Sequence, residues 1–283
     1  MIAVTGATGH LGRLVVDALL ERGVAADQVV AVVRTPAKAA DLAERGVQVR
    51  EGDYSRPETL ATAFAGVDTL LLVSSSEVGQ RVAQHVTAID AAKAAGVGRI
   101  VYTSAPQATT SSLVLAPDHK ATEEHLAASG VATTVLRNNW YTENYLDAVK
   151  QAAESGQILA SVGDGRVASA PRSDFAEAAA VVLTDDSHAG KVYELSGDVA
   201  WTHDELAAAA GEVLGREVSY HRATPEEHAA TLAGLGLDEG TVGFVVALDG
   251  NIRDGELATV TSDLATLLGR PTTGLVEALR AAL

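Results

Sequence analysis

Met1-Ile-Ala-Val-Thr5-Gly6-Ala-Thr8-Gly9-His10-Leu11-Gly12 is the stretch that decides the fold. The first five residues are a short apolar run of strand type. After the glycines, Leu11, Leu14, Val15, Ala18 and Leu19 recur at helical spacing. Strand, glycine turn and helix in that order are the context of a dinucleotide-binding fingerprint, here spaced G-x-x-G-x-x-G. Gly6 permits the tight turn, Gly9 lets a pyrophosphate approach the backbone, and Gly12 lets the helix lie close to the strand. The free N–H groups at the helix start then face the anion.

Outward from this start, the pattern alternates. Strands are predicted over Gln28–Val33, Val47–Arg50, Val67–Val73, Gly98–Thr103 and Ala132–Arg137, with helical stretches between them. Ser55-Arg-Pro-Glu58 has capping-box spacing, and a helix is expected from about Val78 to Ala94 and another from Asp118 to Ser129. This predicts an α/β fold, a Rossmann-type doubly wound parallel sheet. Beyond Tyr145 the alternation loosens. Gly163-Asp-Gly165 reads as a turn, Ser173–Leu183 as a helix and Val192–Leu195 as a strand. Thr202-His-Asp-Glu205 and Thr224-Pro-Glu-Glu227 are capping boxes, and the last eighty residues or so read as mostly helical. The expected division is a dinucleotide-binding Rossmann domain over 1–145 and a small, mostly helical C-terminal lobe over 146–283. That lobe is interleaved with the end of the sheet and expected to bind substrate.

The second strand ends at Arg34, with Lys38 four residues on. Dinucleotide sites commonly place an acid here for the ribose hydroxyls. A guanidinium suits a 2′-phosphate instead, which favours NADP(H). Asp53 either accepts a hydrogen bond from an adenine amino group or is a turn residue. Ser74, Ser75 and Ser76 follow the fourth strand, where they bond riboses or cap the next helix. Asn138-Asn139-Trp140-Tyr141-Thr142-Glu143-Asn144 stands at the end of the sixth strand. Aromatics are 4% of the chain, so two together there suggest pocket lining, the alternative being core packing of Trp140 with the amides exposed.

Composition narrows the rest. The 283 residues carry a formal net charge of −16, which argues against a nucleic-acid backbone or an anionic membrane as partner. There are no cysteines, so thiol catalysis and thiolate metal sites are excluded. The eight histidines include no H-E-x-x-H, and no metal is expected. G-x-S-x-G is absent, against an α/β-hydrolase. The strand at the start and the lack of a long apolar run predict no signal peptide or transmembrane helix, hence a cytoplasmic chain. A homodimer is compatible with the sequence.

Dehydrogenases of the short-chain type use Tyr-x-x-x-Lys, in which Tyr protonates the carbonyl oxygen. Here Lys120 is present and Ala116 occupies the tyrosine position. Lys120 then bonds a nicotinamide ribose, or is a surface lysine paired with Glu123 or Glu124.

Val4–Gly12, Val32-Val-Arg34, Ser74–Arg81 and Leu136–Asn144 together resemble the NmrA-like, atypical short-chain dehydrogenase family, and within it the type 2 branch of bacterial NADPH:quinone oxidoreductases. The resemblance implies a Rossmann domain, a small lobe and a cleft between them. It implies that Gly6, Thr8, Gly9, His10, Leu11, Gly12, Arg34, Ser74–Ser76, Asn138, Asn139, Trp140, Tyr141, Thr142, Glu143 and also Ser169 contact NADP(H). The missing tyrosine agrees with reduction of a quinone, whose hydroquinone product needs less proton donation than an alcohol. Catalysis is then expected from Trp140 and Tyr141 against the quinone ring, with Asn139 or Asn144 as amide donor to the oxyanion. The alternatives are an NADP(H)-sensing regulator without turnover, or a reductase of another electrophile such as an enone or ketone.

Overall fold

Val29-Val-Ala-Val-Val33 is buried along its whole length. A strand buried on both faces needs a layer on each side, and that need shapes the sheet around it. The computed structural model describes residues 1–77 and 79–283. Along the chain, β1 (Ile2–Thr5) leads to α1 (His10–Glu21), β2 (Val29–Val33), α2 (Ala40–Glu44), β3 (Gln48–Glu51), α3 (Pro57–Ala63), β4 (Thr69–Leu72) and α4 (Arg81–Ala94). There follow β5 (Arg99–Ser104), α5 (Ala116–Ser129), β6 (Ala132–Asn138), α6 (Leu146–Ser155), β7 (Gln157–Ala160), β8 (Arg166–Val167), α7 (Arg172–Leu183) and β9 (Val192–Leu195). The remainder is β10 (Trp201–Thr202), α8 (His203–Leu214), β11 (Ser219–Arg222), α9 (Pro225–Gly234), α10 (Glu239–Arg253), α11 (Asp263–Leu268) and α12 (Leu275–Ala282).

The main sheet has the order β3-β2-β1-β4-β5-β6-β9, and its first six strands are parallel. This is the doubly wound sheet expected from the sequence. Ala3, Val30, Val32, Leu70, Leu72, Ile100 and Tyr102 share one buried cluster with Leu60, Phe64, Ile89 and Leu126 of the flanking segments. The alternate residues Val4, Ala31, Leu71 and Val101 are equally buried and point to the opposite face. There α1, which buries Leu11, Val15, Val16 and Leu19, packs on α7.

The chain divides into two compact units. One comprises Met1–Thr109, Pro117–Asn138 and Arg172–Glu194; the other comprises Thr110–Ala116, Asn139–Pro171 and Leu195–Leu283. In the second unit β7 pairs in parallel with β11, and β8 pairs antiparallel with β10.

Local signals are met unevenly. The Thr202–Glu205 capping box is complete: Glu205 N–H donates to Thr202 Oγ1 at 3.3 Å and Thr202 N–H to Glu205 Oε2 at 2.7 Å. Thr224 accepts from Glu227 N–H at 3.1 Å. Ser55 does not cap α3. The N-cap is Arg56, without a side-chain bond, because Asp53 Oδ1 takes Ser55 N–H into its own turn at 2.9 Å and Pro57 opens the helix. The helix start expected at Val78 lies outside the described residues. No helix among the described residues is long and apolar enough to cross a membrane.

Candidate cofactor and substrate site

Strand order reverses between β1 and β4, and ligands of such sheets lie beyond the carboxyl ends of the strands at that switch. In the first unit those ends are tied together by hydroxyls. Thr5 Oγ1 donates to Leu71 O at 3.0 Å and accepts from Val73 N–H at 2.9 Å. Tyr54 Oη, just past β3, donates to Thr5 Oγ1 at 2.5 Å or to Val73 O at 3.0 Å.

The glycine turn occupies the end of β1. Gly6 has φ +58°, a conformation that favours glycine, and its carbonyl accepts from Gly9 N–H at 2.8 Å. A Cβ on Gly12 would stand 2.4 Å from Gly6 O and 3.0 Å from Thr5 O, so only glycine lets α1 lie this close to the strand end. Gly9 is the N-cap of α1. No side chain caps that terminus, and no acidic residue stands in its first turn. Its amides are therefore available to an anion, and the helix dipole is unopposed there. Thr8 and His10 are exposed, whereas the side chain of Leu11 is buried. These features fit the pyrophosphate of a dinucleotide.

Arg34 and Lys38 are both exposed, Lys38 on a short turn over Pro36–Ala39. Arg34 Nη1 lies 2.9 Å from Glu77 Oε1. Asp53 shows the turn role: besides Ser55 N–H, its carboxylate meets Arg56 Nε at 3.4 Å.

The serine segment is held by a network that sequence reasoning did not anticipate. Ser74 N–H donates to Thr103 Oγ1, and Ser75 N–H donates to His85 Nε2, both at 2.9 Å. Since Nε2 accepts, His85 carries its proton on Nδ1, which faces Thr122 Oγ1 at 2.9 Å. Thr122 Oγ1 donates in turn to Asp118 O at 2.9 Å. His85 is fully buried; burial, with a smaller contribution from Arg81, lowers its pKa to about 3 and keeps the ring neutral. Ser75 Oγ donates to Gln84 Oε1 at 2.5 Å. Ser75 is thus committed to the protein, while Ser76 is exposed. No motif marks these partners, which reach the serines from α4 and from the neighbouring strand β5.

Lys120 is exposed and makes no ion pair among the described residues. Glu123, one of its expected partners, bonds instead to Arg137 at 2.7 Å and to Ser104 Oγ at 2.6 Å. Ala116 opens α5 and is buried.

Asn138 ends β6 and is buried. In the second unit Asn139 is also buried, and it works as a clamp. Its N–H donates to Leu195 O at 2.8 Å, its Nδ2 to Leu257 O at 3.3 Å, and its Oδ1 accepts Trp140 N–H at 2.7 Å. Tyr141 and Ala170 form a parallel bridge. This brings Thr142 Oγ1 to 2.9 Å from Ser169 Oγ, which also accepts Trp201 Nε1–H at 3.0 Å. Thr142 and Ser169 are buried, Trp140, Tyr141 and Glu143 half-buried, and Asn144 exposed. Asn144 is thus the amide at the surface, whereas the amide of Asn139 is engaged by Leu257 O and Trp140 N–H. Among the described residues no three His, Cys, Asp or Glu side chains group as a metal site.

A family model described as NAD(P)H-binding matches residues 6–186. Quinone oxidoreductase 2 of Escherichia coli K12 is 48% identical over 277 residues, 98% of this chain and 96% of that protein. The crystal structure of an Escherichia coli NADPH-dependent quinone oxidoreductase complexed with NADPH superposes with a TM-score of 0.95 at 47% identity, covering 99% of each chain. A triphenylmethane reductase from Citrobacter sp., complexed with NADP(H), gives 0.95 at 40% identity, covering 100% of each.

Proposed function

The chain belongs to the NAD(P)H-binding, NmrA-like family, and from that premise we propose that it is an NADPH-dependent quinone reductase. The observation that carries the reading is the near full-length identity to Quinone oxidoreductase 2, joined to an uncapped glycine turn that fits the same cofactor. NADPH supplies a hydride; with one proton from solvent, the quinone leaves as hydroquinone and the cofactor as NADP⁺.

The chain's own residues bind and orient. The amides after Gly9 take the pyrophosphate, and Arg34 and Lys38 take the 2′-phosphate. Ser74 and Ser76 would bond the riboses, from a backbone fixed by Thr103 and His85. Asp53 remains a candidate for the adenine amino group, and Ser169 and Thr142 for contacts through their shared hydroxyl pair. Trp140 and Tyr141 would line the acceptor pocket and exclude water, with Asn144 as amide donor.

Three measurements test this. Arg34→Ala should weaken NADPH by about 1.5 kcal/mol, the low end for a charged hydrogen bond because Arg34 is exposed, and leave NADH unchanged. An unchanged Kd for NADPH overturns the assignment. Steady oxidation of NADPH in the presence of a quinone distinguishes an enzyme from a cofactor sensor, which would bind without turnover. Third, Lys120→Ala should weaken NADPH modestly and leave kcat within about threefold, since a lone charge-assisted bond to a ribose acts on binding. Truncation of Asn144 to Ala should lower kcat by about a hundredfold or more, the scale of a lost oxyanion donor, and Trp140→Ala should also lower it. A collapse of kcat in Lys120→Ala alone, with the other two near wild type, would establish a lysine-centred relay instead.

A further inference from the structure

The guanidinium assigned to the 2′-phosphate already has an anion on it. Arg34 Nη1 donates to Glu77 Oε1 at 2.9 Å, and Glu77 is its only hydrogen-bond partner among the described residues. The two ends of this pair are held unequally. Glu77 Oε2 accepts from Gln84 Nε2 at 2.7 Å, and Glu77 N–H donates to Ser75 Oγ at 3.2 Å. Gln84 is itself buried, and its Nε2 also reaches Ser55 Oγ at 3.1 Å. The carboxylate is therefore moored to α4 and to the end of β4. The arginine side chain, 71% exposed, is moored only to the carboxylate.

We propose that Glu77 is a specificity-determining residue that competes with the 2′-phosphate of NADPH for Arg34. This rests on the assignment of Arg34 to that phosphate. NADPH binding requires the guanidinium to exchange Glu77 for the phosphate. A cofactor without the phosphate leaves the pair intact and pays nothing for it. Exposed ion pairs are weak and salt-screened, so the exchange is easy, and a phosphate offers the guanidinium a bidentate partner in return. The consequence is a tempered preference: Glu77 holds the ratio of NADPH to NADH affinity below what Arg34 alone would give.

The test is fluorescence titration of NADPH and NADH into the wild type, Glu77→Gln, Arg34→Ala and the double variant. All are surface changes, so folding is not at risk. Glu77→Gln should tighten NADPH about twofold to fivefold, the range of an exposed ion pair, and leave NADH unchanged. In the Arg34→Ala background the same substitution should change NADPH binding by less than half as much. Equal tightening of both cofactors, weaker NADPH binding, or an undiminished gain without Arg34 would each overturn the competition. Failure of the underlying phosphate assignment reads out separately, as an Arg34→Ala protein with the wild-type Kd for NADPH.

Discussion

Gly12→Ala should lower the melting temperature of the cofactor-free protein and abolish saturable NADPH binding, whereas Gly9→Val should abolish binding with the melting temperature near wild type. The two glycines belong to one motif but are required for different reasons. A Cβ on Gly12 would meet Gly6 O at 2.4 Å, Gly6 C at 2.8 Å and Thr5 O at 3.0 Å. All three are backbone atoms and none can swing aside. To admit the methyl group, α1 must move off the end of β1, carrying the buried Leu11, Val15, Val16 and Leu19 with it. Overpacking of this kind costs about 1–3 kcal/mol. At the usual scaling for domains of this size, that is roughly 2–12 °C. The same movement takes the helix amides away from the pyrophosphate. Gly9 differs: its φ of −84° and ψ of 170° are extended backbone open to any residue, and its Cβ would meet only Gly6 O, at 3.1 Å. What it keeps clear is the outer side of the turn, where a phosphate must approach the amides. Thermal melts without cofactor and an NADPH titration separate the two effects. A Gly12→Ala protein that melts as wild type would show that α1 has room for the methyl group, and a Gly9→Val protein that binds NADPH normally would show that the turn is not the pyrophosphate cradle.

The contrast also explains what could be read without coordinates. The glycine turn, the buried strand Val29–Val33 and the Thr202–Glu205 box are local, with the signal and the structure in the same dozen residues. The β7–β11 pair was illegible for the opposite reason. Ser219-Tyr-His-Arg222 buries only Tyr220 and carries no apolar alternation, and its partner Gln157–Ala160 lies some sixty residues away. The same holds at the site. Asn139 and Ser169 have residue types suited to a cofactor, yet Leu257 and Trp201 already use much of their bonding capacity. A sequence shows which groups can bond a ligand, but not which have been claimed by distant parts of the chain. Arg34 and Glu77 are the case in which both claims meet.

Arg137→Leu should destabilise the protein by about 3 kcal/mol, the lower end for a buried ion pair that loses one partner. Arg137 stands at the end of β6, with its side chain 13% exposed. Its Nη2 bonds Glu123 Oε2 at 2.7 Å, its Nε bonds Glu123 Oε1 at 3.0 Å, and its Nη1 bonds Glu194 Oε1 at 2.8 Å. The hydrogen bonds to Glu123 first, and those to Glu194, raise the guanidinium pKa above its ordinary value, so the charge is permanent. Through these carboxylates the arginine also holds the end of β5: Ser104 Oγ donates to Glu123, and Gln107 N–H donates to Glu194 Oε2 at 3.0 Å. Gln107 has φ +47°, the only positive value for a non-glycine residue among those described. That conformation is costly for a residue with a side chain and persists only where its surroundings fix it. Leucine fills the volume but leaves the Glu123 side chain, 9% exposed, without its cation. Glu194, 29% exposed, retains solvent and contributes less. The expected loss in melting temperature is roughly 6–12 °C. Adding Glu123→Gln removes the stranded charge while leaving an oxygen to accept from Ser104, and should restore at least half of the loss. If the two substitutions instead add as independent losses, the uncompensated carboxylate is not the cause, and packing of the arginine stem is.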